Sequence, residues 1–244
     1  MTTEGPALPD VPPLEHEHPD VTGGWLRPAV FGAMDGLVSN VALIAGVAGG
    51  TRAAADSQAV VLAGLAGLAA GAFSMAAGEY TSVASQSEAA AREIEKERAE
   101  ILRNPEGEIH ELAAMYVDKG MDPRLAQEAA RQVHLDIDKA VNVHAREELG
   151  VDPDDLASPM VAAGSSFLSF AVGAFLPVLP YLLGADTLLP GLAVTLIALF
   201  GCGAVVTQVT NRSWIYGGMR QMLLGAAAAG LTYAVGAAVG ANLA

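Results

Sequence analysis

From Ala59 to Arg103 the chain contains no proline, and it changes character halfway, from an apolar run to a stretch dense in glutamate. Drawn as one helix it measures about 67 Å at ~1.5 Å per residue, more than twice the ~30 Å hydrocarbon slab it is apolar enough to enter. Half of it must stand in water. At about 100° per residue, Met75, Glu79, Ser82, Gln86, Glu93, Glu97 and Glu100 fall on a band roughly 60° wide. One helix face therefore joins a thioether and a carboxylate at membrane depth to a row of carboxylates outside. That face is either a packing seam or a path for a cation.

The rest of the chain supports the membrane reading. Of 244 residues, 52% are apolar and only 16% charged, with 27 glycines and a mean hydropathy of +0.38, unusual values for a soluble domain. The net charge of −14 is segregated: −5 lies in residues 1–24, −9 in residues 88–155, and none in the apolar remainder. Such acidity excludes nucleic acid, whose phosphates need a basic face, and favours cations as partners. The single cysteine, Cys202, excludes an intramolecular disulfide and a paired-cysteine metal site and reads as a small core residue.

These patterns divide the chain into a disordered acidic tail (1–24), a first pair of spans (25–87), a cytosolic helical block (88–155) and three further spans (156–244). The tail is proline-rich without the basic start and apolar core of a signal peptide, and its Glu15-His16-Glu17-His18 run is at most a weak metal site. The five spans are Trp25–Val47, Ala59 to about Ser85, Pro159–Leu183 with Pro177 and Pro180 bending its far end, Gly191–Thr210, and Met219–Leu243. Gly49, Gly50 and Asp56 mark the first turn, and Asn211–Gly218 the last. Arg27, the acidic block, Arg212 and Arg220 share one side, whereas the other has only Arg52, which places the N-terminus and the block in the cytosol. Glycine pairs at Gly32/Gly36, Gly46/Gly50, Gly67/Gly71 and Gly236/Gly240 predict close helix contacts, and so small a bundle suits a homo-oligomer.

Two groups of residues carry chemistry. In the membrane, Asp35 and Met75 each lie about 15 Å from the cytosolic boundary on antiparallel helices, with Glu79 one turn nearer the cytosol. An ionisable group at that depth costs ~2.5–3.5 kcal/mol on insertion scales, so Asp35 marks an ion path unless it is a protonated tie to another helix. In the block, Glu97 and Glu100 are three apart on one helix, Asn104-Pro105-Glu106-Gly107 breaks it, and Glu108 and Glu111 are three apart on the next. A tight reversal sets the two pairs facing each other. A third helix from Pro123 to Leu149 brings His144 and Glu148, four apart on one face, while His110 and His134 read as surface residues. Carboxylates with an imidazole suit Fe²⁺, Mn²⁺, Co²⁺ or Zn²⁺ better than Cu⁺.

The segments DGLVSNVALIAGVAGG (35–50) and GAFSMAAGEYTSVASQSE (71–88), the charged insert that follows, and FLPVLPYLL (175–183) resemble the vacuolar iron transporter family, over nearly everything after Trp25. The resemblance implies a dimeric, proton-coupled antiporter that moves Fe²⁺, and often Mn²⁺, out of the cytosol. It implies that Asp35 and Met75 line the ion path and that Glu97, Glu100, Glu108, Glu111 and Glu148 hold metal in a three-helix cytosolic domain. Where the family has a methionine this chain has His144, and further membrane acids of some members fall near Pro28 and Gly67. The chain is thus expected to be an all-α membrane protein and a transporter, not an enzyme, with no catalytic cofactor. Its partners are divalent metal, protons, the lipid bilayer and a second copy of itself. The membrane is the plasma membrane in a bacterium or a vacuolar one in a eukaryote. The rivals are a membrane-anchored metal buffer or sensor, and an acidic scaffold for a basic partner.

Overall fold

The computed structural model describes residues 24–51, 57–210 and 212–243, and among these every regular element is helical. The helices are α1 (Leu26–Gly50), α2 (Ser57–Arg103), α3 (Pro105–Asp118), α4 (Pro123–Val133), α5 (Ile137–Glu147), α6 (Pro159–Phe175), α7 (Leu179–Leu182), α8 (Leu188–Thr210) and α9 (Trp214–Leu243). The long stretch is indeed a single helix of 47 residues, about 70 Å at ~1.5 Å per residue. α1, α2, α8 and α9 are long and apolar enough to cross a membrane. The other apolar helix, α6, has 17 residues. Four to five helices are therefore fit to span. The Glu15–His18 run, Arg52, Asp56 and Asn211 lie outside the described residues.

α1 is the centre of the apolar bundle, packed between α6 and α9 with α2 beside it. Glycine makes these contacts possible. A Cβ on Gly36 would stand 2.4 Å from the Phe170 carbonyl oxygen of α6, and one on Gly236 would stand 2.0 Å from that of Gly46. The four glycine pairs expected at helix contacts all lie at them. Gly49 and Gly50, expected in a turn, are instead helical, because they abut Tyr233 and Gly236 of α9. Gly217 and Gly218 are likewise helical, pressed against Gly203 and Phe200 of α8, so α9 begins at Trp214 rather than after the glycines. The expected third span does not simply bend: α6 stops at Phe175, where Pro177 lacks the donor a further turn needs, and α7 restarts with Pro180 in its first turn.

Outside the bundle, the acidic block closes on two small cores. Ile109, Leu112 and Ala113 of α3 pack on Ala126 and Ala130 of α4, while Ile101 of α2 packs on Ala140 and Val141 of α5. The helix expected from Pro123 to Leu149 is two helices. Asp136 is the reason: its side chain accepts from the backbone N–H groups of Asp138 (3.0 Å) and Lys139 (3.3 Å), capping a new helix start within the run. α5 then ends at Glu147, and Gly150 at φ 64° turns the chain away. Ser87 of α2, donating to the Ala157 carbonyl at 2.8 Å, fastens the block to the start of α6.

Candidate metal sites

The first site is a cavity of about 450 Å³ between α1 and α2, floored by Phe170 of α6. Antiparallel packing orders its lining by depth. Phe31 and Asp35 of α1 stand opposite Gly78, Glu79 and Met75 of α2, and Leu43 and Asn40 stand opposite Gly67 and Gly71. Asp35, Met75 and Glu79, singled out from sequence, thus share one chamber and are each half-buried. Asp35 accepts a hydrogen bond from Ser39 Oγ, four residues on, at 2.8 Å. Its bond is with its own helix, so it does not serve as a tie to another. The chamber joins a carboxylate, a thioether and hydroxyl and amide oxygens, with apolar walls at Phe31, Leu43 and Phe170.

The chain reaches the second site along α2, where Ser82, Gln86 and Glu93 are exposed and Glu97 is buried. Asn104 ends the long helix and caps the next, accepting from Gly107 N at 3.3 Å. A side chain at Gly107 would meet the Asn104 amide at 2.1 Å, so it would have to displace the side chain that caps this helix. The turn brings Glu108 to Glu97, and α5 supplies His144, so that ligand atoms of all three lie within 4.8 Å of one another. Ligand atoms of one ion at ~2.1 Å stand about 3–4 Å apart, so three lying within 4.8 Å of one another can share an ion after a modest closure. His144 is wholly buried, with Nδ1 2.8 Å from Glu97 Oε1 and 3.8 Å from Glu148 Oε2. Although so near each other, Nδ1 and Oε1 are both buried without a hydrogen-bond partner. A shared cation would satisfy both.

Electrostatics draws in the remaining acids. Burial, then the charges of Glu148, Glu108, Glu100 and Glu111, raise the Glu97 pKa to about 7. Burial and the neighbouring carboxylates also raise Glu108 and Glu148, led after burial by Glu111 in both cases. Burial pushes His144 down to about 4, with His134 adding to the effect. Between about pH 4 and pH 7, then, Glu97 holds a proton and His144 does not, so the close pair is a neutral one despite its 2.8 Å separation. All six residues predicted for this site gather here, Glu111 and Glu148 from exposed positions and Glu100 from a half-buried one. Of the nearby bases, Arg98 pairs with Asp138 at 2.7 Å, Lys119 with Glu147 and Arg146 with Asp152 at 2.8 Å, whereas Arg103 stands 3.9 Å from Glu100 and, with Lys96 beside Glu148, offsets part of the acidic charge.

His134 is not the surface residue expected. The break before α5 folds it inward, where Nδ1–H donates to the Ala130 carbonyl at 2.9 Å and the ring meets that of His144 edge-on at 5.1 Å. His110 is exposed, as expected. Sequence reasoning also passed over Asn40, 2% exposed; its signal was an amide in an apolar, glycine-rich span.

The family model described as VIT family matches residues 26–237. The chain belongs to the VIT family. Among its relatives, the "Vacuolar iron transporter" of Acanthamoeba castellanii is 40% identical over 224 residues, 88% of this chain and 78% of that protein. "Vacuolar iron transporter 1" of Oryza sativa subsp. japonica is 30% identical over 230 residues, 92% of this chain and 90% of its own. "Vacuolar iron transporter homolog 4" of the same plant is 56% identical over 50 residues, 20% of this chain and 22% of its own. With its apolar helices, this VIT family member is a multi-pass membrane protein.

Proposed function

We propose that this chain exports Fe²⁺, and Mn²⁺ with it, from the cytosol in exchange for protons. The observation that carries the reading is the Asp35 carboxylate, half-buried at membrane depth in a cavity with Met75 and Glu79, where an anchor has no use for an ionisable group. The relatives' printed names supply the iron. Glu97, Glu100, Glu108, Glu111, His144 and Glu148 concentrate the divalent ion on the cytosolic side, set there by the distribution of arginine and lysine. The Glu79 face of α2 then leads it to Asp35 and Met75. A carboxylate must release its proton to bind metal, so protons from the far side displace the ion, and antiport is competition for one site. The domain division at residues 24, 87 and 155 and assembly as a homodimer belong to this proposal. Imidazole and carboxylate donors favour Fe²⁺, Mn²⁺, Co²⁺ and Zn²⁺.

A second reading, a membrane-anchored metal buffer or sensor, draws on the compactness of the Glu97, Glu108 and His144 group, which needs no transport to bind metal. Uptake of Fe²⁺ and Mn²⁺ into proteoliposomes, with and without a pH gradient, separates the two. The transporter accumulates metal and does so faster with the lumen acidic. A buffer binds metal with no accumulation, which would reject the proposal.

A further inference from the structure

Asn40 is fixed in a way that leaves one atom unused. Its Nδ2 donates to two backbone carbonyls, that of Gly64 on α2 at 3.1 Å and that of Ala174 on α6 at 2.5 Å. Both N–H groups are thereby committed, and a flipped amide would set its oxygen against two carbonyl oxygens, so the orientation is determined by chemistry. Oδ1 is buried and has no hydrogen-bond partner. It faces Gly67 across the inner end of the cavity, 2.8 Å from where a Cβ on Gly67 would stand. A buried acceptor left without a donor is costly, and here the surrounding fold holds it in place. The nearest chemistry is that of Asp35 and Met75, which share its cavity.

We propose that Asn40 Oδ1 is the next cation-contacting oxygen inward from Asp35, a neutral donor met by a divalent ion as it moves toward the far side of the membrane. This rests on the reading of the Asp35 cavity as an ion path. Five residues beyond Asp35 on the same helix, Asn40 lies about 7.5 Å deeper at ~1.5 Å per residue. A hard carbonyl-type oxygen suits Fe²⁺ and Mn²⁺ and is poorly matched to soft ions. Unlike a carboxylate, it cannot be taken by a proton, so it passes the ion on without itself entering the exchange.

The test is a ratio of fluxes in the same proteoliposomes, which is independent of how much protein folded. Uptake of Cd²⁺ and of Mn²⁺ is measured for the full-length chain, for Asn40→Cys and for Gly67→Cys. Either substitution sets a sulfur at this spot, and Gly67→Cys keeps the Asn40 donors should Asn40→Cys not fold, its Cβ displacing the ends of the Leu43 and Asn40 side chains that it would approach at 2.5 and 2.8 Å. The expected result is a Cd²⁺ to Mn²⁺ ratio raised roughly tenfold or more in either variant. A ratio unchanged from wild type, alongside Mn²⁺ flux that Asp35→Ala still abolishes, overturns the role of Asn40 and leaves the ion path standing. Absence of Mn²⁺ flux in the wild type overturns both.

Discussion

Glu97 sits on the same helix face as Glu79 and Glu93, yet it alone of the three is buried, with other carboxylates around it. Burial and those neighbours raise its pKa to about 7 from an ordinary value of 4.5, so the folded protein binds more protons than the unfolded chain between those two values. Its contribution to stability is therefore lost as pH rises through that window. Glu97→Gln removes the penalty. In the metal-free protein it should raise the melting temperature at pH 8, by an amount corresponding to at most about 3 kcal/mol, and leave it unchanged at pH 4. In the proposed metal role, the same proton competes with the ion. Binding of Mn²⁺ by the full-length chain in detergent, followed by calorimetry, should weaken by at least about tenfold from pH 8 to pH 6; affinity independent of pH would contradict the assignment. His144→Met replaces a buried nitrogen with a softer sulfur, and the measured preference should move toward Cd²⁺ and away from Mn²⁺. Spacing alone named the six candidate residues, because pairs three or four apart on a helix share a face whatever lies around them. Burial was not legible, since it depends on which helices close over the face, and so His134 read as a surface residue and Asn40 was passed over.

Among the elements, α1 depends most on its glycines. Gly236→Ala drives a methyl into the Gly46 backbone and should destabilise the detergent-solubilised protein by about 1–3 kcal/mol, read as a lowered melting temperature, whereas Gly164→Ala, with nothing within 4 Å, should change it little. Equal effects of the two would mean that the α1–α9 contact is not tight in solution. The long α2 was visible in the sequence as a proline-free run whose polarity changes midway, and the reversal at Asn104 as a proline and glycine around a cap residue. Less visible were the places where one residue has two uses. Glycines that read as turns at 49, 50, 217 and 218 serve as contact surfaces inside helices, and Asp136, inside the helix expected from Pro123 to Leu149, caps a new one. In both cases a neighbouring element or a local hydrogen bond outweighs the propensity that the linear pattern displays.

For the whole molecule, the two sites are joined by one helix rather than by one chamber. Asp35, Met75 and Glu79 line the cavity at one end of α2's polar face, and Glu97 and Glu100 stand at the other, with exposed residues between. A helix without proline from one site to the other holds them at fixed separation. In the proposed mechanism, capture and passage can then be altered separately, and loss of the outer cluster should weaken capture more than it slows passage. Glu100→Ala is expected to raise the half-saturating Fe²⁺ concentration severalfold with maximal flux largely kept. A fall in maximal flux with unchanged half-saturation would place Glu100 in the path itself. If the ion crosses at Asp35, Fe²⁺ flux through Asp35→Ala in proteoliposomes at saturating metal should fall to the level of protein-free vesicles while the acidic block still binds Mn²⁺. Flux equal to that of the wild type would mean that the ion crosses elsewhere.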